Sequence, residues 1–353
     1  MGAPVVLRLS KRQRQAAAAV FGIVVVLVVV LANQPPSNAG ARAVSPIAAH
    51  AAAASHAAVP PRTGLASLKL VHAHAGFSDD SANHRGAPKV DAAGGILVDV
   101  DTGSILWAHD AHTARPPAST TKVLSTLVAL ENLDPDRVVT VTPDALNQAG
   151  DETVMGLHAG DHLTVRELLQ GMLMVSGNDA ADALAVDTVG MDAFVNAMNQ
   201  QLGALGLHDS HFVTPVGLDD PAQKASAYDL AAITAVAVSR FPVFRQIVAT
   251  TDVVLPASPQ HPEFDLHNLN RLLRIYPVAS GVKPGWTGDA GACLVAMAER
   301  DGHRLIAVVL NAPQLYTDTR ALLDWGFTQL GLPSTLPTPT PSPAPAPPAK
   351  KRP

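Results

Sequence analysis

Residues 117–122 read Pro-Ala-Ser-Thr-Thr-Lys and lead directly into the apolar run Val123–Leu130. Proline fits only the first turn of a helix, so the sequence predicts a buried helix that begins here and ends near Asn132. Ser119 and Lys122 lie three residues apart and therefore share one helical face. An apolar setting would lower the pKa of the Lys122 amine and let it act as a base for the hydroxyl. By itself this spacing also fits a surface lysine near a helix start.

The composition of the chain argues against several classes of function. The 353 residues are 47% hydrophobic and 16% charged, which is enough for a sizeable core. The net charge of −5, with no dense Lys/Arg stripe, argues against nucleic acid as a partner. Cys293 is the single cysteine, so no internal disulfide and no zinc site is expected. Five histidines lie in an Ala-rich stretch and would bind metal only adventitiously: His50, His56, His72, His74 and His84. No metal or organic cofactor is implied.

The N-terminal part has the pattern of a membrane anchor. Four basic residues precede the uncharged run Ala16–Ala32: Arg8, Lys11, Arg12 and Arg14. This predicts a cytoplasmic segment at 1–15, a membrane anchor or signal segment at 16–32, and an extracytoplasmic remainder. Residues 33–89 are rich in Ala and Pro and predict a disordered tether. Residues 333–353 predict a proline-rich basic tail. Cleavage near Ala41–Ala43 would release the protein and stays open.

Residues 90–332 predict one α/β domain. A tight turn between Gly95–Val100 and Ser104–Ala108 indicates an opening hairpin. The later elements expected from periodicity are a strand at Val138–Val141, helices at Thr164–Met174, Asp179–Val189, Met191–Leu205 and Ala227–Val238, strands at Gly281–Trp286, Ala292–Ala298 and Leu305–Leu310, and a helix at Thr317–Leu330. We expect a side-chain cap on the second helix from Asn178 or Asp179. This order describes a sheet with helices on both sides.

Three polar clusters fall at turns or strand ends. They are Ser119 with Lys122, Ser176 with Asn178, and Lys283 with Gly285. Acyl transfer needs a nucleophile, a base, a proton relay and paired donors for an oxyanion, and these clusters supply such a set. Ser-x-x-Lys, Ser-x-Asn and Lys-Thr-Gly are the signatures of penicillin-binding proteins and class A β-lactamases. The first two are intact in this chain, and the third reads Lys-Pro-Gly.

The sequence from about Gly94 to Leu330 resembles the serine D-alanyl-D-alanine carboxypeptidases. The stretches that carry the resemblance are Pro117–Lys122, Ser176–Ala180, Pro215–Leu218, Ala227–Leu230, Asn268–Leu273 and Gly281–Leu294. The resemblance implies the DD-peptidase/β-lactamase-like sandwich, an antiparallel sheet with helices on both sides. It also implies that the substrate is the D-Ala-D-Ala end of a peptidoglycan stem peptide, and that β-lactam antibiotics acylate the enzyme as inhibitors.

Site roles follow from the same resemblance. Ser119 would be the acylated nucleophile and Lys122 its base, while Ser176 would relay a proton to the departing D-alanine. Asn178 would hold the peptide group of the substrate. Lys283 would supply positive charge opposite Ser176.

The rest of the strand that carries Lys283 would complete the site. The resemblance places the oxyanion between the backbone N–H groups of Ser119 and Trp286. Gly285 would let the substrate backbone approach the strand, although a strand glycine can equally mark a bulge.

Two departures affect the carboxylate end of the substrate. The family usually carries threonine at the position of Pro284, and many members have an arginine at the position of Leu315. Both groups serve the terminal carboxylate. Thr287 and Arg320 are the nearest substitutes, although strand alternation puts Thr287 on the opposite face from Pro284.

Two other functions remain open. A class A β-lactamase would need a glutamate, with an asparagine four residues on, between the second and third motifs. The only glutamate between Asn178 and Lys283 is Glu263, and residue 267 is histidine. A non-catalytic module that binds peptidoglycan or senses β-lactams is the other alternative. The sequence leaves open the choice between removing a terminal D-alanine and cutting cross-links, as well as the oligomeric state.

Overall fold

The structure is a computed structural model that describes Lys69, residues 76–79 and residues 86–335. The predicted membrane segment at 16–32, most of the tether and the tail from residue 336 onward lie outside the described residues. Within the described part, no single helix is long and apolar enough to cross a membrane. Two consecutive helices in this part, Ala227–Arg240 and Pro242–Ala249, reach that length and apolar composition only when taken together. The chain bends by 110° between them.

A six-stranded sheet organises the described residues. The strands of the described part are β1 (Ser78–Asp79), β2 (Gly94–Asp99), β3 (Ser104–His109), β4 (Val138–Thr140), β5 (His162–Thr164), β6 (Asp252–Leu255), β7 (Phe264–His267), β8 (Ala279–Thr287), β9 (Gly291–Arg300) and β10 (His303–Leu310). The order in the large sheet is β1-β3-β2-β10-β9-β8. Only the short β1 pairs in parallel, so the predicted hairpin and the three late strands form the expected antiparallel sheet.

Within the described residues, α-helices pack on both faces of this sheet. They are α1 (Lys122–Asn132), α2 (Val165–Met174), α3 (Asn178–Val186), α4 (Met191–Leu205), α5 (Ala227–Arg240), α6 (Pro242–Ala249), α7 (Leu272–Ile275) and α8 (Leu315–Gln329). A one-turn 3-10 helix, Ala118–Thr121, precedes α1. The predicted helices are therefore confirmed, with ends that shift by a few residues.

The alternation of side chains along the central strands divides the core. Ile96 and Val98 belong to the large cluster formed with most of the helices, whereas Leu97 faces the smaller cluster that contains residues of α8. All six residues of β2 are buried, and so are Leu305–Leu310 in β10, as the continuous apolar run of β10 predicts. These two buried strands form the centre of the sheet, and β8, which carries Lys283 and Gly285, lies at its edge next to β9.

Several short elements escaped the sequence analysis. These are α6, α7, β5 and the hairpin of β6 and β7, whereas the strand predicted at Val138–Val141 is confirmed as β4. Their strands have only three or four residues, which is too few for a periodic pattern to register.

Part of the predicted tether contacts the domain. The Phe77 ring lies edge-on to Tyr228, with 5.7 Å between ring centroids, and the Phe77 N–H donates to the Tyr228 hydroxyl. The Lys69 N–H donates to Asn132 Oδ1 at the end of α1. Chain that precedes the predicted domain start at residue 90 therefore touches the folded part.

Candidate active site

Ser119 lies in the 3-10 turn just before α1. The turn is fixed by two side-chain hydrogen bonds: Thr120 Oγ1 donates to the Pro117 carbonyl at 2.6 Å, and Thr121 Oγ1 donates to the Ala118 carbonyl at 2.9 Å. The Thr120 N–H also donates to the Pro117 carbonyl at 3.3 Å, so the hydroxyl donors reinforce the backbone turn around Ser119.

Lys122 begins α1 and is completely buried. Its Nζ lies 3.0 Å from Ser119 Oγ, 2.7 Å from Asn178 Oδ1 and 3.1 Å from the Val216 carbonyl oxygen. Burial lowers the pKa of Lys122 to about 7, against the opposing charges of Asp182, Glu152 and Asp179. The predicted pairing of hydroxyl and amine is therefore present, and a substantial fraction of the amine is neutral near pH 7.

Two glycines let other segments approach this turn. A Cβ on Gly285 in β8 would lie 2.8 Å from the Ser119 nitrogen, and a Cβ on Gly217 would lie 1.9 Å from the Ala118 carbonyl oxygen. Gly217 also has a φ of +90°. Gly285 pairs in regular register with Cys293, so the bulge interpretation is wrong. Its role is to bring β8 against the turn that carries Ser119.

Ser176 and Lys283 face Ser119 across one part of the cleft. Ser176 lies between α2 and α3 with a φ of +65°, an uncommon conformation for a residue with a side chain. Lys283 is fully buried on β8, and its Nζ donates to the Pro284 carbonyl at 3.0 Å. Burial, with the charge of Lys122 adding to it, lowers the pKa of Lys283 well below its usual value.

Asn178 joins the base to a neighbouring loop. Its Oδ1 accepts from Lys122, and its Nδ2 donates to Glu152 Oε2 at 2.6 Å. The N-cap of α3 is Gly177, and no side chain caps this helix. The predicted N-cap is therefore wrong for both candidates, because both lie inside the helix: Asn178 turns into the cleft, and Asp179 binds residues 155–157 as well as the Ala180 N–H.

Residues 149–157 form the loop that Asn178 and Asp179 hold. The Asp179 carboxylate accepts three backbone N–H groups of this loop, from Met155, Gly156 and Leu157, besides that of Ala180 in its own helix. The Asn178 N–H donates to the Thr153 carbonyl at 2.8 Å. These bonds bring Glu152 into the cleft wall although the chain around it carries no motif.

The cleft has two halves that meet at Ser119. We call one the acidic half, because three carboxylates line it: Asp151, Glu152 and Asp219. Asn178 and Thr287 line it as well. We call the other the apolar half, because four apolar side chains line it together with Ser176 and Lys283: Leu269, Pro284, Ala292 and Leu315. Trp286 borders both halves and is 73% exposed.

Thr287 and Arg320 are the candidate substitutes for the two missing groups that would bind the substrate carboxylate. Neither residue lies in the apolar half. Thr287 lines the acidic half, and its Oγ1 accepts from the Ala290 N–H at 3.1 Å. Arg320 stacks on the Tyr276 ring, 5.7 Å from its centroid, instead of lining this half. The apolar half therefore keeps Pro284 and Leu315 without compensation from these two residues.

Sequence reasoning missed Glu152, Asp182 and the Val216 carbonyl. Asp182 lies on α3, where it accepts a hydrogen bond from Gln148 Nε2 at 2.7 Å. Burial raises the pKa of Asp182 to about 6. The only available signal was for Val216, which belongs to a stretch that resembled the family. In the described part of the chain, no three His, Cys, Asp or Glu side chains cluster as a metal site requires.

Comparisons with known proteins agree with this geometry. The family described as D-alanyl-D-alanine carboxypeptidase matches residues 81–314. A D-alanyl-D-alanine carboxypeptidase of Mycobacterium tuberculosis is 38% identical over 240 residues, which cover 66% of this chain and 81% of that protein. One from Bacillus subtilis is 32% identical and covers 74% of this chain and 69% of its own length.

Solved structures give the same relationship. The crystal structure of a D-alanyl-D-alanine carboxypeptidase from M. tuberculosis superposes with a TM-score of 0.64 at 36% identity, covering 70% of this chain and 95% of that one. The crystal structure of a Streptomyces DD-transpeptidase gives a TM-score of 0.64 at 32% identity, covering 69% of this chain and 99% of that one. The sandwich fold expected from the sequence is thereby confirmed.

Proposed function

Because the chain belongs to the D-alanyl-D-alanine carboxypeptidase family, we propose that it cleaves the D-Ala-D-Ala end of peptidoglycan stem peptides by acyl transfer to Ser119. It is a serine-type carboxypeptidase and a penicillin-binding protein. The observation that carries the site assignment is the 3.0 Å separation of Ser119 Oγ from the buried Lys122 amine. This is the contact that a hydroxyl nucleophile needs from its base.

The first half of the reaction forms the acyl-enzyme. The Lys122 amine takes the hydroxyl proton as Ser119 Oγ attacks the carbonyl carbon of the penultimate D-alanine. The oxyanion that forms is held by the backbone N–H groups of Ser119 and Trp286. The bond to the terminal D-alanine nitrogen then breaks, which leaves an ester on Ser119.

Proton delivery and substrate binding involve the other two motifs. Ser176 passes the proton that Lys122 took from Ser119 to the departing nitrogen, so the terminal D-alanine lies in the apolar half. Asn178 binds the peptide group on the acyl side, so the stem peptide lies in the acidic half. Lys283 stabilises the arrangement around Ser176. A water molecule then cleaves the ester, and its proton returns through Lys122 to Ser119.

A labelling experiment tests this function. Fluorescent penicillin should label the purified protein covalently and be released slowly. Ser119→Ala should not label, and its thermal unfolding temperature should be nearly unchanged because a hydroxyl in a cleft adds little to packing. Rapid turnover of the drug would indicate a β-lactamase instead. Absence of any label on the wild type would indicate a non-catalytic binding module.

We also propose that residues 16–32 anchor the protein so that the domain faces the cell wall. The support is the run of uncharged residues behind four basic ones. A reporter fused after Asn33 should be active outside the cytoplasm, and full-length protein should be found in the membrane fraction. Cytoplasmic activity of the fusion would reject this location, and full-length protein only in the medium would indicate a cleaved signal.

A further inference from the structure

Glu152 contacts the site through Asn178, and we propose that it is a positioning residue for the base. By fixing the orientation of the Asn178 amide, Glu152 leaves the lone pair of the neutral Lys122 amine directed at Ser119. The inference rests on the proposed function, because it concerns the step in which Ser119 loses its proton.

The first step of the argument concerns the amide. A carboxylate can only accept hydrogen bonds. Glu152 Oε1 accepts from the Ala149 N–H at 2.8 Å, and Oε2 lies 2.6 Å from the amide of Asn178. The group that faces Oε2 must therefore be the NH2 of Asn178. The amide oxygen is then directed to Lys122, where Nζ lies 2.7 Å away.

The second step counts donors on the base. A neutral lysine amine has two N–H donors and one lone pair. The Val216 carbonyl and Asn178 Oδ1 are both acceptors, so they take the two N–H groups. Ser119 Oγ, at 3.0 Å, is left opposite the lone pair and can donate its proton to it. If the amide were reversed, its NH2 would occupy the lone pair and the base would be blocked.

The third step concerns why Glu152 can perform this role. The backbone of Asn178 is tied to the same loop through its bond to Thr153, and Asn178 is only 5% exposed. The Glu152 N–H also donates to the Ala149 carbonyl at 3.0 Å, which closes a turn around the carboxylate. Glu152 is therefore held in place from within the protein before any substrate binds, and a partly buried hydrogen bond to its charged carboxylate resists reversal of the amide.

The negative charge of Glu152 also raises the pKa of Lys122, and this electrostatic effect must be distinguished from the effect of Glu152 on the Asn178 amide. Three carboxylates raise the pKa of Lys122 against its burial, namely Asp182, Glu152 and Asp179. Lys283 is the cation facing Lys122. Asp182 is a matched control because it supplies charge without a hydrogen bond to Asn178, its carboxylate being bound by Gln148.

The experiment measures the rate constant of acylation by penicillin from pH 5 to 9 for three variants: Glu152→Gln, Glu152→Ala and Asp182→Asn. In Glu152→Gln the new amide keeps its oxygen on the Ala149 N–H, so its NH2 faces Asn178 and reverses that amide. We expect the plateau rate to fall at least about ten-fold, the size of a lost hydrogen bond to a charged group. Glu152→Ala removes the group that orients the Asn178 amide but does not reverse that amide, so the plateau rate should fall less than in Glu152→Gln.

The control should behave differently. Asp182→Asn removes a charge that raises the pKa of Lys122, so the acid limb should move to lower pH while the plateau stays within about two-fold. Thermal unfolding temperatures of all three variants check that the loop is intact.

The ranking of the variants decides the proposal. A role limited to filling space would make the isosteric Glu152→Gln the milder change, and that order would overturn the inference. A loss restricted to hydrolysis of the acyl-enzyme would also overturn it, because Glu152 would then serve the water and not the base. If the wild type labels with penicillin and Glu152→Gln labels equally fast, only this inference fails. If the wild type does not label, the proposed function itself fails.

Discussion

The two halves of the cleft meet at Ser119 but offer the substrate opposite surroundings. The acidic half carries the carboxylates of Asp151, Glu152 and Asp219 and the amide of Asn178. The apolar half is lined largely by hydrocarbon, and Lys283 is the cation among its lining residues. The nucleophile is thus shared, whereas the binding of the acyl part and of the leaving group relies on different physical effects.

The difference is sharpest for a negatively charged leaving group. Terminal D-alanine carries a carboxylate, yet burial lowers the pKa of Lys283 well below its usual value. Lys283 therefore holds less positive charge near neutral pH than an exposed lysine would. Pro284 provides neither a hydroxyl nor an N–H, so the apolar half has one donor fewer for a carboxylate than it would have with threonine at this position. The acidic half, in contrast, has the charge to attract a cationic stem peptide.

The largest effect should come from the shared centre. Lys122→Ala removes the base, so acylation by every substrate and by penicillin should be lost as completely as in Ser119→Ala. Because nucleophile and base act as one unit, the double variant should be no slower than either single variant. The measurement is single-turnover acylation of the three proteins. A double variant far slower than both single ones would separate the two residues and remove Lys122 as the base.

The next effect is the pH dependence that both halves share. The pKa of Lys122 lies at about 7 because of burial, and only the neutral amine can accept the Ser119 proton. The rate should therefore rise with pH, and at pH 5 it should be about 100-fold below its plateau, one decade per pH unit below the pKa. Acylation by penicillin from pH 5 to 9 tests this. A rate that is flat over the range would exclude Lys122 as the proton acceptor.

The sequence predicted the parts of this cleft that depend on local pattern. Pro117 and the apolar run after it located the Ser119 helix, and a continuous apolar stretch located the buried β10. Spacing alone put Lys122 beside Ser119, since a helical turn fixes that distance. Each of these predictions concerns residues a few positions apart.

The parts that were missed depend on contacts between distant segments. Glu152 meets Asn178 across 26 residues, and Val216 meets Lys122 across 94. The cap expected at the start of α3 failed because Gly177 takes the N-cap position, while Asn178 and Asp179 lie inside the helix and bind long-range partners. Local propensity cannot rank such tertiary alternatives. The sequence analysis sought a catalytic glutamate only between the second and third motifs, and Glu152 precedes the second motif.

A smaller and more selective effect is expected in the apolar half. Pro284→Thr adds a hydroxyl, and a hydrogen bond to a charged group is worth about 1.5–3 kcal/mol. On a peptide ending in D-Ala-D-Ala, kcat/KM should rise roughly ten-fold, whereas an amidated analogue should change little. Pro284→Val is the matched control because it has the shape of threonine without the hydroxyl.

The control decides the interpretation of that result. A similar gain from valine and threonine would attribute the effect to the strand backbone. A gain of the same size on both substrates would mean that residue 284 does not face the carboxylate. In the wild type, amidated or internal D-peptide bonds should be disfavoured less than in enzymes that retain the threonine.

The smallest effect should come from the acidic half. A stem peptide with a free side-chain amine should have a higher kcat/KM than the same peptide acetylated on that amine. Asp151 and Asp219 are exposed, so the preference should be only roughly two- to five-fold, as for surface charge pairs. It should shrink as salt is raised to about 0.5 M, since the screening length then falls below the Debye length of about 8 Å at physiological salt. Asp219→Asn keeps an oxygen for the Asp289 N–H that the carboxylate accepts at 3.2 Å. This variant should therefore prefer the free amine less than the wild type does and should still fold.

The salt dependence decides the interpretation. If the preference for the free amine did not change with salt, the selectivity would come from the shape of the cleft, and the carboxylates of the acidic half would have no part in choosing the substrate.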